Sequence, residues 1–183
     1  AEMLAELGYV AFAIDMYGEG RVADHPKDAG TFSSSVMKNF DLSKERFIKA
    51  MEVVKELNFV DKNKIGAIGY CFGGGVVLNM ARLNIDIKGV VSFHGSLSKA
   101  VDYTGPTSTK ILVCNGADDR MVGGDAILRF KQEMDSIKAN YEFINYPNST
   151  HGFTNPEATI NGEKFQIGLA YNKEADIESW KKM

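Results

Sequence analysis

Three side chains of this sequence have the types and order to do chemistry together. Cys71 sits in Ile68-Gly69-Tyr70-Cys71-Phe72-Gly73-Gly74-Gly75, directly after an apolar run. Asp119 follows in Gly116-Ala117-Asp118-Asp119, and His151 in Ser149-Thr150-His151-Gly152-Phe153. A thiol, a carboxylate and an imidazole form a nucleophile relay when the imidazole takes the thiol proton and the carboxylate orients the imidazole. Taken alone, Gly69-x-Cys71-x-Gly73 leaves three readings open: a displayed nucleophile, a buried thiol of no chemical use, or a glycine loop around a phosphate. The phosphate reading is the weakest, because neither G-x-x-x-x-G-K-[ST] nor a first-strand G-x-G-x-x-G occurs. The histidines His25, His94 and His151 are far apart, with no CxxC or HExxH spacing, so no metal or other cofactor is expected.

The elements that must position these groups alternate between helix and strand. Apolar periodicity predicts a helix ending at Leu7 before Gly8, a strand over Tyr9–Ile14 and a long loop from Asp15 to Phe40. A helix capped by Asp41 then runs to Leu57, with Phe47, Met51, Val54 and Leu57 on one face. Strands follow at 64–69, 88–93, 110–114 and 141–146. Helices are expected at 74–83, at 125–139 (capped by Asp125, with Ile127, Phe130, Met134 and Ile137 inward) and at 173–183. Short continuous apolar strands with helical crossovers indicate an α/β class, a mostly parallel sheet with helices on both faces, in a single domain over 1–183. Function in such sheets collects at the carboxyl ends of strands. Cys71, Asp119 and His151 each follow a different strand, in the chain order of the α/β-hydrolase triad.

That context strengthens the nucleophile reading of Cys71. A nucleophile elbow is a strained strand-to-helix turn, often with positive φ at the nucleophile, and needs small residues such as Gly69 and Gly73 on both sides. The next helix would aim its N-terminus at the sulfur and favour the thiolate. The Phe72 N–H would be an oxyanion donor. Gly74 and Gly75, poor helix formers, imply close approach of helix to sheet. Asp118 competes with Asp119. His94 ends a strand and either lines the cleft or makes a structural hydrogen bond. Phe153 offers an apolar wall, His25 is expected to face solvent, and Cys114 to lie in the core.

Composition narrows the partners. The 183 residues carry a net charge of −3 and 25% charged residues, with no basic excess to bind nucleic acid or an anionic membrane. No apolar run approaches the roughly 20 residues of a membrane helix. Two cysteines make no disulfide framework, which points to a reducing cytoplasm. The chain opens at Ala1 inside what reads as the end of a helix, so a fragment or processed chain is expected.

The sequence resembles the dienelactone hydrolase family along nearly its whole length. The resemblance rests on Asp15-Met16-Tyr17-Gly18, Gly69-Tyr70-Cys71-Phe72-Gly73-Gly74, Ser92-Phe93-His94-Gly95, Gly116 to Val122, His151-Gly152-Phe153, Leu169 to Asn172 and Ser179-Trp180. It implies a Cys71–His151–Asp119 triad and an acyl-enzyme route for hydrolysing a small-molecule ester or lactone, as a carboxymethylenebutenolidase-like enzyme or a general esterase. It also implies a substrate pocket involving Tyr17, Glu19, His94, Phe153 and Asn155. Two family positions that hold arginines for a substrate carboxylate carry Glu19 and Asn155 here, so a neutral ester or lactone is expected. Family members have strands before the first helix, and the loop entering that helix supplies a second oxyanion donor; both would precede Ala1. Two rival functions stand beside this: a non-catalytic ligand- or partner-binding protein of the same fold, and a redox protein using Cys71, the latter weakened by the lack of a resolving cysteine. Oligomeric state is not readable from the sequence.

Overall fold

Strand alternation sets which side chains share a face of the sheet. Strands β1 (Gly66–Tyr70), β2 (Gly89–Phe93), β3 (Lys110–Gly116) and β4 (Tyr141–Tyr146) pair in parallel in the order β1-β2-β3-β4. The register aligns Gly69 with Ser92, Ser92 with Val113 and Val113 with Phe143. Those four residues therefore share one face, and Tyr70, Phe93, Cys114 and Ile144 share the other. The computed structural model describes residues 1–103, 105 and 107–183, which divide into two units, Ala1–Lys64 and Ile65–Met183.

The sheet belongs to the second unit, and helices cover both its faces. Helix α4 (Phe72–Arg82) packs on the Ser92 face. Its Gly74 lies so close that a Cβ there would stand 2.6 Å from Ser92 Oγ and 2.8 Å from Gly95 Cα. Helix α5 (Gly124–Ser136) lies on the same face, with Phe130 6.1 Å ring to ring from Phe143. The opposite face holds Phe93, Cys114 and Tyr146 against Phe153 and Ala175, the last in α7 (Lys173–Lys182). Each contact removes apolar surface from water, the main favourable term in folding. Arg82 of α4 is buried; it makes a two-pronged ion pair with Glu133 of α5, both contacts 2.9 Å, and donates to Leu97 O. Its neighbour Asn79 accepts the Ala100 N–H at 2.8 Å. Together they hold the segment that follows β2.

The first unit departs furthest from the sequence expectation. Helices α1 (Glu2–Glu6) and α3 (Phe40–Glu56) are where the pattern puts them, with Gly8 at φ +86° just beyond α1 and Phe47 and Met51 buried in α3. Tyr9–Ile14 is not a strand: it makes no ladder among the described residues, and Tyr9, Val10 and Phe12 are exposed. An apolar run becomes a strand only where a neighbour completes its backbone hydrogen bonds. Half of the expected loop is helix α2 (Pro26–Lys38). Pro26 opens it, where a missing N–H is harmless, and exposed His25 caps it by accepting the Lys27 N–H at 3.1 Å. Its glycine and serines hid it from a propensity reading. Asn39, not Asp41, is the N-cap of α3, because α2 runs almost directly into it.

In the second unit, Gly123 rather than Asp125 stands at the N-cap of α5, and Asp125 lies in its first turn. Helix α6 (Ala158–Phe165) was not expected. It buries only Ala158 and Gly162, too short an apolar stripe to register as periodic.

Candidate active site

The turn at Cys71 is a strained elbow. Cys71 has φ +52° and is the N-cap residue of α4, a backbone region costly for a non-glycine residue. A β-carbon at Gly69 would collide with the backbone carbonyl of Gly73, so only glycine fits where the strand turns back on the helix. The requirement is one-sided: a Cβ at Gly73 meets nothing within 4 Å. The Cys71 N–H donates to Phe93 O at 3.0 Å, tying the elbow to β2. Cys71 as a residue is exposed at the carboxyl end of the sheet, with its thiol partly desolvated.

Asp119 and His151 reach the same point from β3 and β4. The loops after these strands touch: Ala117 N–H donates to Tyr146 O at 2.8 Å and Asp118 N–H to Ser149 O at 2.9 Å. Asp118 is exposed while Asp119 is buried, which separates the two carboxylates the sequence left in competition. Asp119 Oδ1 accepts the Met121 N–H at 2.8 Å, and its Oδ2 lies 2.8 Å from His151 Nδ1. His151 Nε2 stands 3.0 Å from Cys71 Sγ. The histidine loop is held from behind by Asn172, the N-cap of α7, whose Nδ2 donates to Ser149 Oγ at 2.9 Å.

The electrostatics favour a charge-separated pair. Burial raises the Cys71 thiol, but the hydrogen bond and charge of His151 and the Phe72 N–H outweigh it and hold the thiol below its ordinary value. Burial lowers His151, but hydrogen bonds to Asp119 and Cys71 lift it to about 9. Both shifts favour moving one proton from sulfur to imidazole. Cys114, by contrast, is fully buried and pushed up to about 11, an inert core thiol as expected.

The remaining expected residues divide. His94 is buried at φ +40°, with its ring edge-on to His151 at 5.2 Å and its Nε2 2.8 Å from Thr154 Oγ1. Burial pushes it down to about 3, so it is neutral. Phe153 is fully buried between the rings of His94 and Tyr146 and is a floor beneath the site, with no surface for a substrate. Asn155 is exposed and its Oδ1 accepts the Glu157 N–H. Tyr17 and Glu19 belong to the first unit, where Tyr17 packs edge-on to Phe32 and exposed Glu19 pairs with Arg21 at 2.7 Å. Thr154 went unremarked in the sequence, since a threonine in a loop carries no pattern of its own. Among the described residues no cluster of His, Cys, Asp or Glu could hold a metal ion, and no helix is long and apolar enough to cross a membrane.

Known proteins resemble this chain along its length. The profile of the dienelactone hydrolase family matches residues 1–183. Uncharacterized protein K02A2.1 of Caenorhabditis elegans is 33% identical over 141 residues, 75% of this chain and 87% of that protein. The crystal structure of a dienelactone hydrolase-like promiscuous phosphotriesterase, P91, from metagenomic libraries superposes with a TM-score of 0.85 at 30% identity, over 99% of this chain and 74% of the other. A structure titled m3DLH gives 0.87 at 29% identity, over 99% and 75%.

Proposed function

Because this chain belongs to the dienelactone hydrolase family, we propose that it hydrolyses a small-molecule carboxylic ester or lactone through Cys71, His151 and Asp119. The observation that carries the reading is the unbroken line Asp119 Oδ2–His151 Nδ1–His151 Nε2–Cys71 Sγ, with contacts of 2.8 and 3.0 Å. In the proposed reaction the Cys71 thiolate attacks the ester carbonyl carbon. The carbonyl oxygen takes the negative charge and the Phe72 N–H at the start of α4 donates to it. Protonated His151 gives its proton to the departing alkoxide, leaving an acyl thioester on Cys71. His151, now neutral, takes a proton from water, which attacks the thioester and releases the acid. Asp119 keeps the imidazole in one tautomer and steadies it when charged.

Substrate charge is part of the proposal. In the sequence, Glu19 and Asn155 occupy the positions at which the family resemblance implies carboxylate-binding arginines, which favours a neutral ester or lactone over an anionic dienelactone. A neutral phosphotriester is a second substrate class to try, since the similar P91 is described as a promiscuous phosphotriesterase. A single hydrolase domain and a cytoplasmic setting complete the reading, the latter resting on two free cysteines.

Turnover of a short activated ester by the wild type, Cys71→Ala and His151→Ala tests it. The expected result is activity in the wild type alone. Equal turnover by all three, or none by the wild type, rules the hydrolase reading out and favours a ligand-binding role.

A further inference from the structure

His94 has features that its volume does not require. It holds a left-handed backbone (φ +40°) that side chains other than glycine rarely adopt. It is 3% exposed, and its Nδ1 has no hydrogen-bond partner. An unpartnered buried nitrogen destabilises a fold, and phenylalanine or leucine would fill the space without one. What an imidazole adds is the Nε2–Thr154 Oγ1 hydrogen bond of 2.8 Å. Thr154 lies three residues beyond His151, on the same loop. The His94 ring also meets the His151 ring edge-on, centroids 5.2 Å apart at 64°. One side chain thus touches the proposed base and pins the loop that carries it.

The geometry points to His94 as a positioning residue that fixes the ring plane of His151, so that Nε2 stays on Cys71 while Nδ1 stays on Asp119. This rests on the triad reading above. His94 touches neither sulfur nor carboxylate at hydrogen-bond distance, so it acts through His151. Its neutrality suits the place: a second cation beside the His151 imidazolium would drive the proton back to sulfur. The groups facing the Cys71–His151 pair are Asp119 and His94, with the Tyr70 ring 6.0 Å from His94 and Asp176 acting on Tyr70.

The test reads the pair directly. Carbamidomethylation of Cys71 by iodoacetamide, followed against pH, reports the thiolate; Cys114 is buried, and Cys71→Ala supplies the blank. His94→Ala is expected to raise the alkylation midpoint by about one pH unit, a tenfold loss of thiolate. On a short activated ester it is expected to lower kcat about 10- to 100-fold with KM nearly unchanged, as loss of alignment does. Thr154→Val should shift both readouts the same way by less, and Thr154→Ser should restore them. A wild-type midpoint and kcat in folded His94→Ala overturn the inference. If His94→Ala does not fold, an unchanged midpoint in Thr154→Val overturns it. Should the wild type turn over no ester, the hydrolase reading fails while the alkylation series still decides the role of His94.

Discussion

His151 Nε2 lies 3.0 Å from Cys71 Sγ, and the shifts on the two groups run in opposite directions, the thiol down and the imidazole up to about 9. In the proposed reaction this pair works as thiolate and imidazolium, with the nucleophile charged before any substrate arrives. Cys71→Ala is therefore expected to lower ester turnover about 10⁴-fold or more, and Asp119→Asn, which misorients the imidazole, about 10³- to 10⁴-fold. Steady-state kinetics on a short activated ester check both.

The same pair makes a pH prediction about stability. His151 rises from 6.5 to about 9 on folding, so its contribution is complete below pH 6.5 and is lost as pH climbs through 9. Cys71 falls below its ordinary 9.0, so its contribution is complete above pH 9 and is lost as pH drops through the folded value. The proposed ion pair keeps Cys71 ionised down to pH 6.5, so between pH 6.5 and 9 the folded pair and the unfolded pair each hold about one proton, and the two slopes cancel. Urea midpoints are expected to stay level across that window and to fall on acidification below it. A steady decline from pH 6.5 to 9 contradicts the ion pair.

Glycine at the elbow is demanded on one side only. Gly69→Ala drives a methyl into the Gly73 carbonyl and is expected to destabilise by about 1–3 kcal/mol. Gly73→Ala meets open space and is expected to leave stability unchanged or improve it by a few tenths of a kcal/mol through helix propensity. Denaturant titration of the two variants separates them.

Arg82 and Glu133 form a pair that is much less exposed on the arginine side, at 2% against 21%. Removing Glu133 takes the carboxylate from the buried Arg82 guanidinium and leaves it the neutral Leu97 carbonyl. Glu133→Ala is expected to cost about 3–5 kcal/mol, read by equilibrium unfolding. Kinetics of the surviving folded fraction should change little, because the pair sits at the far end of α4 from Cys71.

Substrate charge can be read from rates. The wild type is expected to prefer a neutral short ester to an anionic lactone in kcat/KM, and Asn155→Arg to narrow that preference by restoring a cation near His151. A preference for the anionic lactone in the wild type contradicts the proposed specificity.

What the sequence determined by itself was the order of parts. Apolar runs of strand length, alternating with helical stripes, dictate the parallel sheet, and Cys71, Asp119 and His151 each come after a different one of its strands. Local physics was enough there: a buried strand and an amphipathic helix announce themselves by period, and the glycines around Cys71 announce a tight turn. Boundaries for β4 and α7 agree to within a residue for the same reason. Helices α2 and α6 were illegible, because one carries a glycine and three serines and the other buries only two small residues. Tyr9–Ile14 had a strand's composition but makes no ladder among the described residues.

Only the tertiary structure decided what depends on contacts between distant segments. It buried Asp119 and left Asp118 in water, a choice made by the pairing of the β3 and β4 loops. It turned Phe153 from a pocket wall into floor. It also set His94 against His151 and Thr154, 57 and 60 positions away in the chain. Such contacts arise from how strands stack side by side, and no spacing within one segment encodes them.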